Sequence, residues 1–352
     1  MNLSFEQIDD DSKWDSLVKK LPEYSFLNSS ARYQYNRSLG IDTFRYAVMV
    51  DGSFLGIITG NIGRSKLFGK FLECKHSPML LDDKTLYWDE ILSFVKELSK
   101  SKGCFMFRFS PLYIENRTVE EFYNSRGFVI APIHNVDALI SQKIDLRKDF
   151  ESLMRDMSKT RRNLLRRLQE DKEIEVKIVS DESLFDTFQE FHEETVKLKG
   201  YQDKPTKQLV EELREQIKKG MCYMVAGYLN SKVISIWQLT VYGKNAHLYQ
   251  ACSSTEFREK NMIMTTLLYW KSIEFVKNLG CLTFDLFGGV VPREYEDKKH
   301  PWKGVGEFKR SLGGEKITYM HSMDYPINRL KYYTYYLYST IRTKAKGHTT
   351  RW

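Results

Sequence analysis

The same succession of structural elements is written twice along this chain, and that duplication restricts the fold more than any other feature. In each half a helical segment leads to a glycine and an alternating apolar run, Gly103–Phe109 in the first and Gly280–Leu286 in the second. Further on, residues 121–127 (EFYNSRG) correspond to residues 307–313 (EFKRSLG). Matching elements in matching order predict two copies of one α/β unit.

Local patterns agree with this interpretation. Asp51-Gly52 and Asn230-Ser231 each join two β-rich runs, which is typical of tight hairpins. Residues 4–21 have a helical pattern that ends before a proline, so we expect a helix at the start of the chain.

Composition narrows the class of protein. The chain has 352 residues, of which 42% are hydrophobic, so it can bury the cores of two domains. Its five cysteines show no CxxC spacing, and the start of the chain is acidic and lacks the apolar stretch of a signal peptide. No apolar run reaches the ~18 residues of a membrane span. We therefore expect a cytoplasmic protein, and the net charge of +8 favours a polyanionic partner.

Residues 158–167 (SKTRRNLLRR) form the densest cationic stretch, inside a predicted helix over residues 150–168. At helical spacing Lys159, Arg162 and Arg166 share one face. Arginine forks suit bidentate phosphate contacts. The candidates for binding a phosphorylated substrate or an RNA backbone are therefore Lys159, Arg161, Arg162 and Arg166. A solvated basic face is the alternative.

Residues 281–316 combine a predicted strand end, a charged loop and a basic pair beside glycines, which is typical of an anion or acyl site. The alternative is a solvated loop that leads into a helix stop. His247, His300 and His321 lack metal-ligand spacing, and we expect no metal. No Ser-His-Asp or reactive cysteine pattern is present in the sequence, which favours a reaction without a covalent enzyme intermediate.

Residues 122–128 (FYNSRGF) resemble the last segment of the GNAT acyltransferase fold. Two such units in tandem resemble the FemABX family of non-ribosomal aminoacyltransferases, which build peptidoglycan interpeptide bridges. The most specific pieces of this resemblance are Ser25-Phe26-Leu27, Lys159–Arg167, Tyr249–Ser253, Phe284–Gly289, and Phe308-Lys309 with Gly313-Gly314. Only about forty residues separate Val179 from Gly220, too few for the long coiled-coil arm of FemA-like members. The chain therefore resembles the arm-less, FemX-like type.

The resemblance implies an α/β protein of two tandem GNAT-like units, with mixed sheets flanked by helices. We place these units at residues 1–146 and 147–325. The remaining residues 326–352 are predicted to form a basic, tyrosine-rich helix, which docks on the first domain or lies at a membrane interface.

The implied reaction moves an amino acid from aminoacyl-tRNA to an amine of a peptidoglycan precursor, either nucleotide-linked or lipid-linked. A CoA-dependent GNAT enzyme holds the pyrophosphate on a glycine-rich turn, and the equivalent residues 257–264 contain no glycine. We therefore expect that CoA is not the donor. We also expect no other cofactor and no DNA partner. Peripheral contact with the inner membrane face would suit a lipid-linked acceptor.

Individual roles follow from the same resemblance. Lys309, preceded by Phe308, is expected to stabilise the developing oxyanion or to position the donor. The first copy has Tyr123 at this place, so only the second unit is predicted to be catalytic. Asp285 and Glu307 are the candidate bases.

Two further residues are candidates for binding the acceptor. Tyr249 is expected to offer its hydroxyl as a hydrogen-bonding group. Arg32 lies where the family often carries a lysine for acceptor phosphates, so the mode of acceptor binding departs from the pattern there. Two rival functions stay open: a non-catalytic RNA-binding or membrane-surface protein on the same fold, and an N-acyltransferase with another donor.

Overall fold

The computed structural model describes residues 2–81, 87–132, 139–199, 205–256, 258–288 and 303–345. The chain divides into two compact units, one of Met1–Leu139 with Thr318–Trp352 and the other of Ile140–Ile317. In the described residues, no helix combines the length and the apolar character needed to span a bilayer.

The first unit holds one mixed sheet and its flanking helices. Its strands are β1 (Leu3–Gln7), β2 (Thr43–Val50), β3 (Ser53–Ser65), β4 (Gly69–Lys75), β5 (Met79–Leu80), β6 (Met106–Ser110), β7 (Val129–Ile130) and β15 (Met323–Pro326). Its helices are α1 (Asp11–Val18), a 3-10 turn (Phe26–Asn28), α2 (Ser30–Ser38), α3 (Trp88–Ser101), α4 (Arg117–Ser125) and α11 (Arg329–Ala345).

The second unit has the same plan. Its strands are β8 (Ile140–Asp145), β9 (Ile174–Val179), β10 (Cys222–Leu229), β11 (Lys232–Tyr242), β12 (Asn245–Ser253), β13 (Thr283–Asp285) and β14 (Glu315–Thr318). Its helices are α5 (Phe150–Asp156), α6 (Lys159–Glu170), α7 (Phe185–Lys199), α8 (Thr206–Lys218), α9 (Arg258–Asn278) and α10 (Lys303–Ser311).

Strand order confirms the duplication. The first sheet runs β1-β2-β3-β4-β6-β15-β7, with β5 beside β3, and the second runs β9-β10-β11-β12-β13-β8-β14. The central pairs β4–β6 and β12–β13 are parallel, and the pairs that flank them are antiparallel. The predicted α/β class with mixed sheets is therefore confirmed.

The sixth strand in the order of each sheet is separate in the chain from the other strands of that sheet. β8 precedes the rest of the second sheet in the chain, and β15 follows the whole second unit yet pairs with β6 and β7 in the first sheet. The compact units therefore differ from the expected bounds of 147–325 for the second unit. It runs from Ile140 to Ile317, because β8 pairs within its sheet and β15 pairs within the first sheet.

The first helix is shorter than its pattern predicts. Residues 3–7 form β1, which pairs with β2 from Leu3 opposite Val50 onward. Leu3 and Phe5 alternate toward the core, and the Phe5 ring stacks on Phe94 at 3.9 Å. A period of two over these five residues therefore prevails over the helical pattern, which holds only for α1.

The predicted helix over residues 150–168 is in fact two helices. α5 ends at Asp156, because the next residue, Met157, has an extended backbone with a ψ of 151°. The Ser158 side chain then accepts a hydrogen bond from the Arg161 backbone N–H and caps α6. The basic residues 159–167 therefore lie on α6 alone.

Each unit has its own apolar core. In the second unit, α6 and α9 cover one face of the sheet, with Leu165, Trp237 and Leu268 buried between the layers. The opposite face packs against α7 and α8. Covering both faces leaves the ends of the strands as the place where polar groups can gather.

Candidate active site

The two parallel strands at the centre of the second sheet separate at their carboxyl ends. Asn245, Ala246 and His247 of β12 pair with Thr283, Phe284 and Asp285 of β13. β13 ends there, while β12 continues to Ser253. In open α/β sheets ligands bind in the crevice outside the carboxyl ends of such strands.

β12 carries an irregularity at this point. Gln238 of β11 lies opposite Gln250, but Leu239 lies opposite Leu248, so β12 bulges by one residue at Tyr249. A bulge re-aims a side chain and increases the local twist. The Tyr249 ring lies 5.7 Å from that of Phe287, just beyond the end of β13.

The chain leaves β13 through a turn that Asp285 holds. The buried Asp285 carboxylate accepts a hydrogen bond from the Ser141 hydroxyl and a second, of 2.8 Å, from the Phe287 backbone N–H. Phe287 has a φ of 46° and Gly288 a φ of 97°. A bulky residue in the left-handed region is strained, and such strain is found where the surrounding structure imposes it.

Lys309 reaches this turn from α10. Its Nζ donates to the carbonyl oxygen of Phe287 at 2.8 Å and to that of Gly288 at 3.0 Å. Two carbonyls thus fix the ammonium, which has a third donor for another acceptor. Burial lowers the pKa of Lys309 to about 8, although the nearby Asp285 charge acts in the opposite direction.

Phe308 lies beside Lys309 on α10 and packs into the core. Its ring makes an edge contact with Trp237 at 6.5 Å, and the guanidinium carbon of Arg161 lies 4.8 Å from its centroid. The next turn is tight: Gly313 has a φ of 92°, and a Cβ there would lie 2.9 Å from the Asp156 backbone. Phe308 and the glycine together fix the position of α10.

Arg161, which we expected to bind phosphates, is largely engaged within the unit. Its Nε donates to the Ser311 hydroxyl at 3.0 Å, and its Nη1 donates to the buried Thr266 hydroxyl at 3.1 Å. Arg161 therefore links α6, α9 and α10. Its guanidinium acts on Lys309 through the placement of α10.

The other basic residues of α6 divide into two groups. Arg162 donates to the carbonyl oxygens of Arg155 and Met157, at the end of α5. Lys159 and Arg166 are exposed, and Arg166 has only a 3.5 Å contact with Asn163. Arg167 is exposed as well, but Lys159 and Arg166 are the exposed cations that share one face of α6, and both are accessible to a phosphate.

Arg32 lies in the first unit, on α2. It is half-buried, with its guanidinium carbon 5.3 Å from the Tyr35 ring centroid. The neighbouring motif has a structural role, because Ser25 caps the 3-10 turn and its buried hydroxyl lies 2.6 Å from Nδ1 of His76.

The first unit repeats the architecture of the site with different side chains. α4 and α10 both have nine residues, and Gly127 and Gly313 follow at the same offset with φ of 87° and 92°. Tyr123 then occupies the place of Lys309, and its ring is buried against Trp88 and Phe128. Among the described residues, only the second unit has a cation at this position.

A buried ion pair lies in the first unit, where β6 corresponds to β13. Arg108 forms a two-point contact with Asp324 of β15, at 2.6 and 2.9 Å, and also donates to the Tyr335 hydroxyl at 3.1 Å. The Tyr332 hydroxyl donates to Asp324 at 3.3 Å. This network ties α11 to the first sheet.

Several contacts around the site could not be predicted from the sequence, because their partners are far apart in the chain. Ser141 and Thr266 are 144 and 105 residues from the groups they bind. His247 lies opposite Asp285 in the sheet, with its ring 6.3 Å from Phe287. His321 lies with Glu115 and Glu120, their ligand atoms within 4.8 Å of one another, although sequence spacing indicated no such cluster. Exposed acidic groups meet often without a metal, and we assign this cluster no function.

Some of our expectations fall on residues outside the described ranges. These are Phe257, Gly289, the rest of the charged loop up to Trp302 including His300, and residues 346–352 of the predicted last helix.

Comparison with known proteins supports the fold. Residues 155–303 match the family model described as an acetyltransferase (GNAT) domain. No curated protein sequence matches the chain.

Among solved structures, that of FemX matches with a TM-score of 0.81 and 14% identity, covering 96% of this chain and 100% of FemX. A tandem GNAT protein from the clavulanic acid biosynthesis pathway matches with a TM-score of 0.57 and 11% identity, covering 93% and 99% of the two chains. L-PGS from Bacillus licheniformis matches with a TM-score of 0.55 and 12% identity, over 96% and 98%.

These matches confirm the predicted resemblance at the level of the fold. The chain has a FemX-like architecture of two tandem GNAT-like units. The matched family model is that of an acetyltransferase domain, which supports an acyltransferase role for the second unit.

Proposed function

We propose that this protein is a cytoplasmic aminoacyltransferase, which moves an amino acid from aminoacyl-tRNA to an amine of a peptidoglycan precursor stem peptide. One observation carries the proposal: a half-buried lysine ammonium, hydrogen-bonded to two backbone carbonyls, lies at the carboxyl ends of two separating parallel strands. A cation at that place suits a reaction in which negative charge develops on oxygen.

The reaction needs no electron donor and no metal. The acceptor amine attacks the ester carbonyl of the donor, and the carbonyl oxygen becomes an oxyanion. Collapse of this intermediate forms the amide and breaks the bond to the ribose oxygen. The proton lost by the amine balances the one gained by the leaving ribose oxygen. Positioning and charge stabilisation are then the main contributions of the protein.

Lys309 is the residue that we assign to charge stabilisation. Two of its three N–H groups are held by the carbonyls of Phe287 and Gly288, so the third has a fixed direction. A pre-oriented donor costs no reorganisation when charge develops, and it is stronger in a site from which water is excluded. Asp285 shapes the turn that presents these carbonyls, which makes it a positioning residue in this proposal.

The phosphates of the substrates are assigned to α6. Lys159 in its first turn and Arg166 two turns later are exposed and lie on one face. Their charges suit either the tRNA backbone or the diphosphate of the acceptor. Tyr249 and Arg32 remain candidates for contacts to the acceptor.

The family match favours a second candidate, an N-acyltransferase that uses an acyl-CoA donor. Residues 258–264, which open α9, contain no glycine to admit a pyrophosphate close to the backbone, and this favours aminoacyl-tRNA instead. The two donors can be compared in one assay.

Mass spectrometry of the acceptor tests the proposal. A nucleotide-linked muropeptide and its lipid-linked form are each incubated with the protein and either charged total tRNA or acetyl-CoA. The proposal predicts a gain of one amino-acid residue mass with tRNA, abolished when the tRNA is first digested with RNase. A gain of an acetyl mass with acetyl-CoA, and none with tRNA, would establish the second candidate.

A further inference from the structure

α11 has two apolar sides, and only one of them is covered by the first unit. Tyr332 is fully buried against Phe105 and Met106. Tyr335 makes edge contacts with Phe68 at 5.5 Å and with Phe105 at 5.4 Å. These contacts and the hydroxyl bonds to the buried ion pair fix the orientation of the helix on the unit.

The opposite side carries a row of exposed apolar residues. Leu330, Tyr333, Leu337 and Ile341 are 83%, 54%, 62% and 59% exposed. Their spacing of three and four residues places them in one stripe about 16 Å long. Single exposed apolar side chains are ordinary, but a continuous row of four on a rigid helix marks an interaction surface.

Charge indicates what this stripe contacts. Arg329 lies on one flank, and Lys331 and Arg342 lie on the other, with Lys344 near its end. The last acidic residue of the chain is Asp324, so α11 carries no negative charge. Apolar residues with tyrosine, flanked by cations, are typical of helices that lie in the plane of an anionic membrane surface.

We propose that α11 binds the surface of an anionic bilayer through this stripe and its basic flanks. Pairing with a second copy of the chain is disfavoured, because it would bring the two basic helices together. The proposal goes beyond the transfer reaction, since it would hold for any donor or acceptor.

Vesicle co-sedimentation of the full chain, without tRNA or muropeptide, tests this inference. Vesicles of phosphatidylcholine alone are compared with vesicles that also contain phosphatidylglycerol. We expect binding to the anionic vesicles and little to the neutral ones. Leu337→Asp is expected to weaken binding at least about tenfold, because it replaces a leucine that would be buried in the bilayer surface by a charged side chain. Removing the charges of Arg342 and Lys344 by substitution with Gln is expected to weaken it roughly fivefold for each.

The matched control is Ile114→Asp in the same unit, because Ile114 is 65% exposed but lies off α11. It should bind like the wild type. Leu330→Asp provides a second variant should Leu337→Asp fail to fold. Failure of the wild type to bind anionic vesicles, or equal binding by the α11 and control variants, would overturn the proposal. A dimer in sedimentation velocity that Leu337→Asp disperses would also overturn it, in favour of pairing between copies.

Discussion

The ammonium of Lys309 donates a 2.8 Å hydrogen bond to the carbonyl oxygen of Phe287, a residue whose own backbone is left-handed. The strained turn directs the carbonyl oxygens of Phe287 and Gly288 at the ammonium that α10 brings to the strand ends. Asp285 holds the turn from the other side through the Phe287 N–H. These groups form one hydrogen-bonded cluster, and the Lys309 ammonium at its centre is the basis of the proposed chemistry.

The pH dependence of kcat/KM reports on which form of Lys309 works. Its pKa of about 8 lies below that of an ordinary acceptor amine, about 10.4. The fraction of the acceptor amine that is unprotonated therefore rises tenfold per pH unit in this range. If the ammonium is required, the active fraction of enzyme falls tenfold per unit above pH ~8. We therefore predict that kcat/KM for the acceptor rises with a slope of about one below pH 8 and levels off above it.

Initial rates at low acceptor concentration, between pH 6 and about 9.5, would measure these slopes. If log kcat/KM instead rises with a slope near two below pH 8 and near one above it, the neutral form of Lys309 acts as a base. The Lys309 assignment as oxyanion donor would then be wrong.

Replacing Arg161 by Lys tests its part in placing α10. Lysine cannot reproduce the two hydrogen bonds to Ser311 and Thr266, and Thr266 is buried. We predict a loss of about 1–3 kcal/mol of stability, together with a fall in kcat. Arg166→Lys, on the exposed face of the same helix, should change stability by less than about 0.5 kcal/mol. Thermal unfolding and steady-state kinetics measure the stability and the kcat of both variants. If Arg161→Lys has the stability and kcat of the wild type, Arg161 does not position α10.

The double variant Lys159→Gln with Arg166→Gln tests phosphate binding by α6. Because each lost phosphate contact lowers the salt dependence of binding, we predict a higher KM for tRNA and a log–log salt slope smaller by about 1–2. The control removes two exposed lysines elsewhere in the second unit, Lys172 and Lys207, in the same way. Equal effects of the two pairs would mean that net charge, rather than this face, attracts the tRNA.

The buried pair in the first unit gives a prediction on stability alone. Asp324→Asn leaves the Arg108 charge buried without its carboxylate, which typically costs about 3–5 kcal/mol. Asp89→Asn removes the partner of Arg126, but Asp89 is 73% exposed, so the expected loss is below about 1 kcal/mol. Chemical unfolding of the two variants compares them. Similar losses would show that burial does not govern the strength of these pairs.

Much of the fold could be predicted because it depends on local signals. Asp51 and Gly52 both have positive φ, as do Asn230 and Ser231, which is the geometry that their hairpins require. The duplication also predicted that Lys309 and Tyr123 occupy equivalent places, and the equal lengths of α4 and α10 agree with it.

The site itself depends on contacts that no local pattern contains. The bulge at Tyr249 follows from the pairing of β11 with β12, and phenylalanine is not a residue that signals left-handed backbone. The side chain of Arg161 was expected to face a phosphate, but Ser311 and Thr266 from distant segments receive its hydrogen bonds. Sequence periodicity could indicate which face of α6 is basic, but not which of its cations the neighbouring helices use.

The most direct test of the account is the transfer assay with Lys309→Met beside Lys316→Met. Lys316 is an exposed lysine on β14 in the same unit, so the control makes the same substitution nearby. We predict that the wild type and Lys316→Met add one tRNA-dependent residue to the muropeptide. Lys309→Met should lose at least about a hundredfold in kcat while its thermal unfolding shows a folded protein. Transfer by Lys309→Met at the wild-type rate would contradict the central claim.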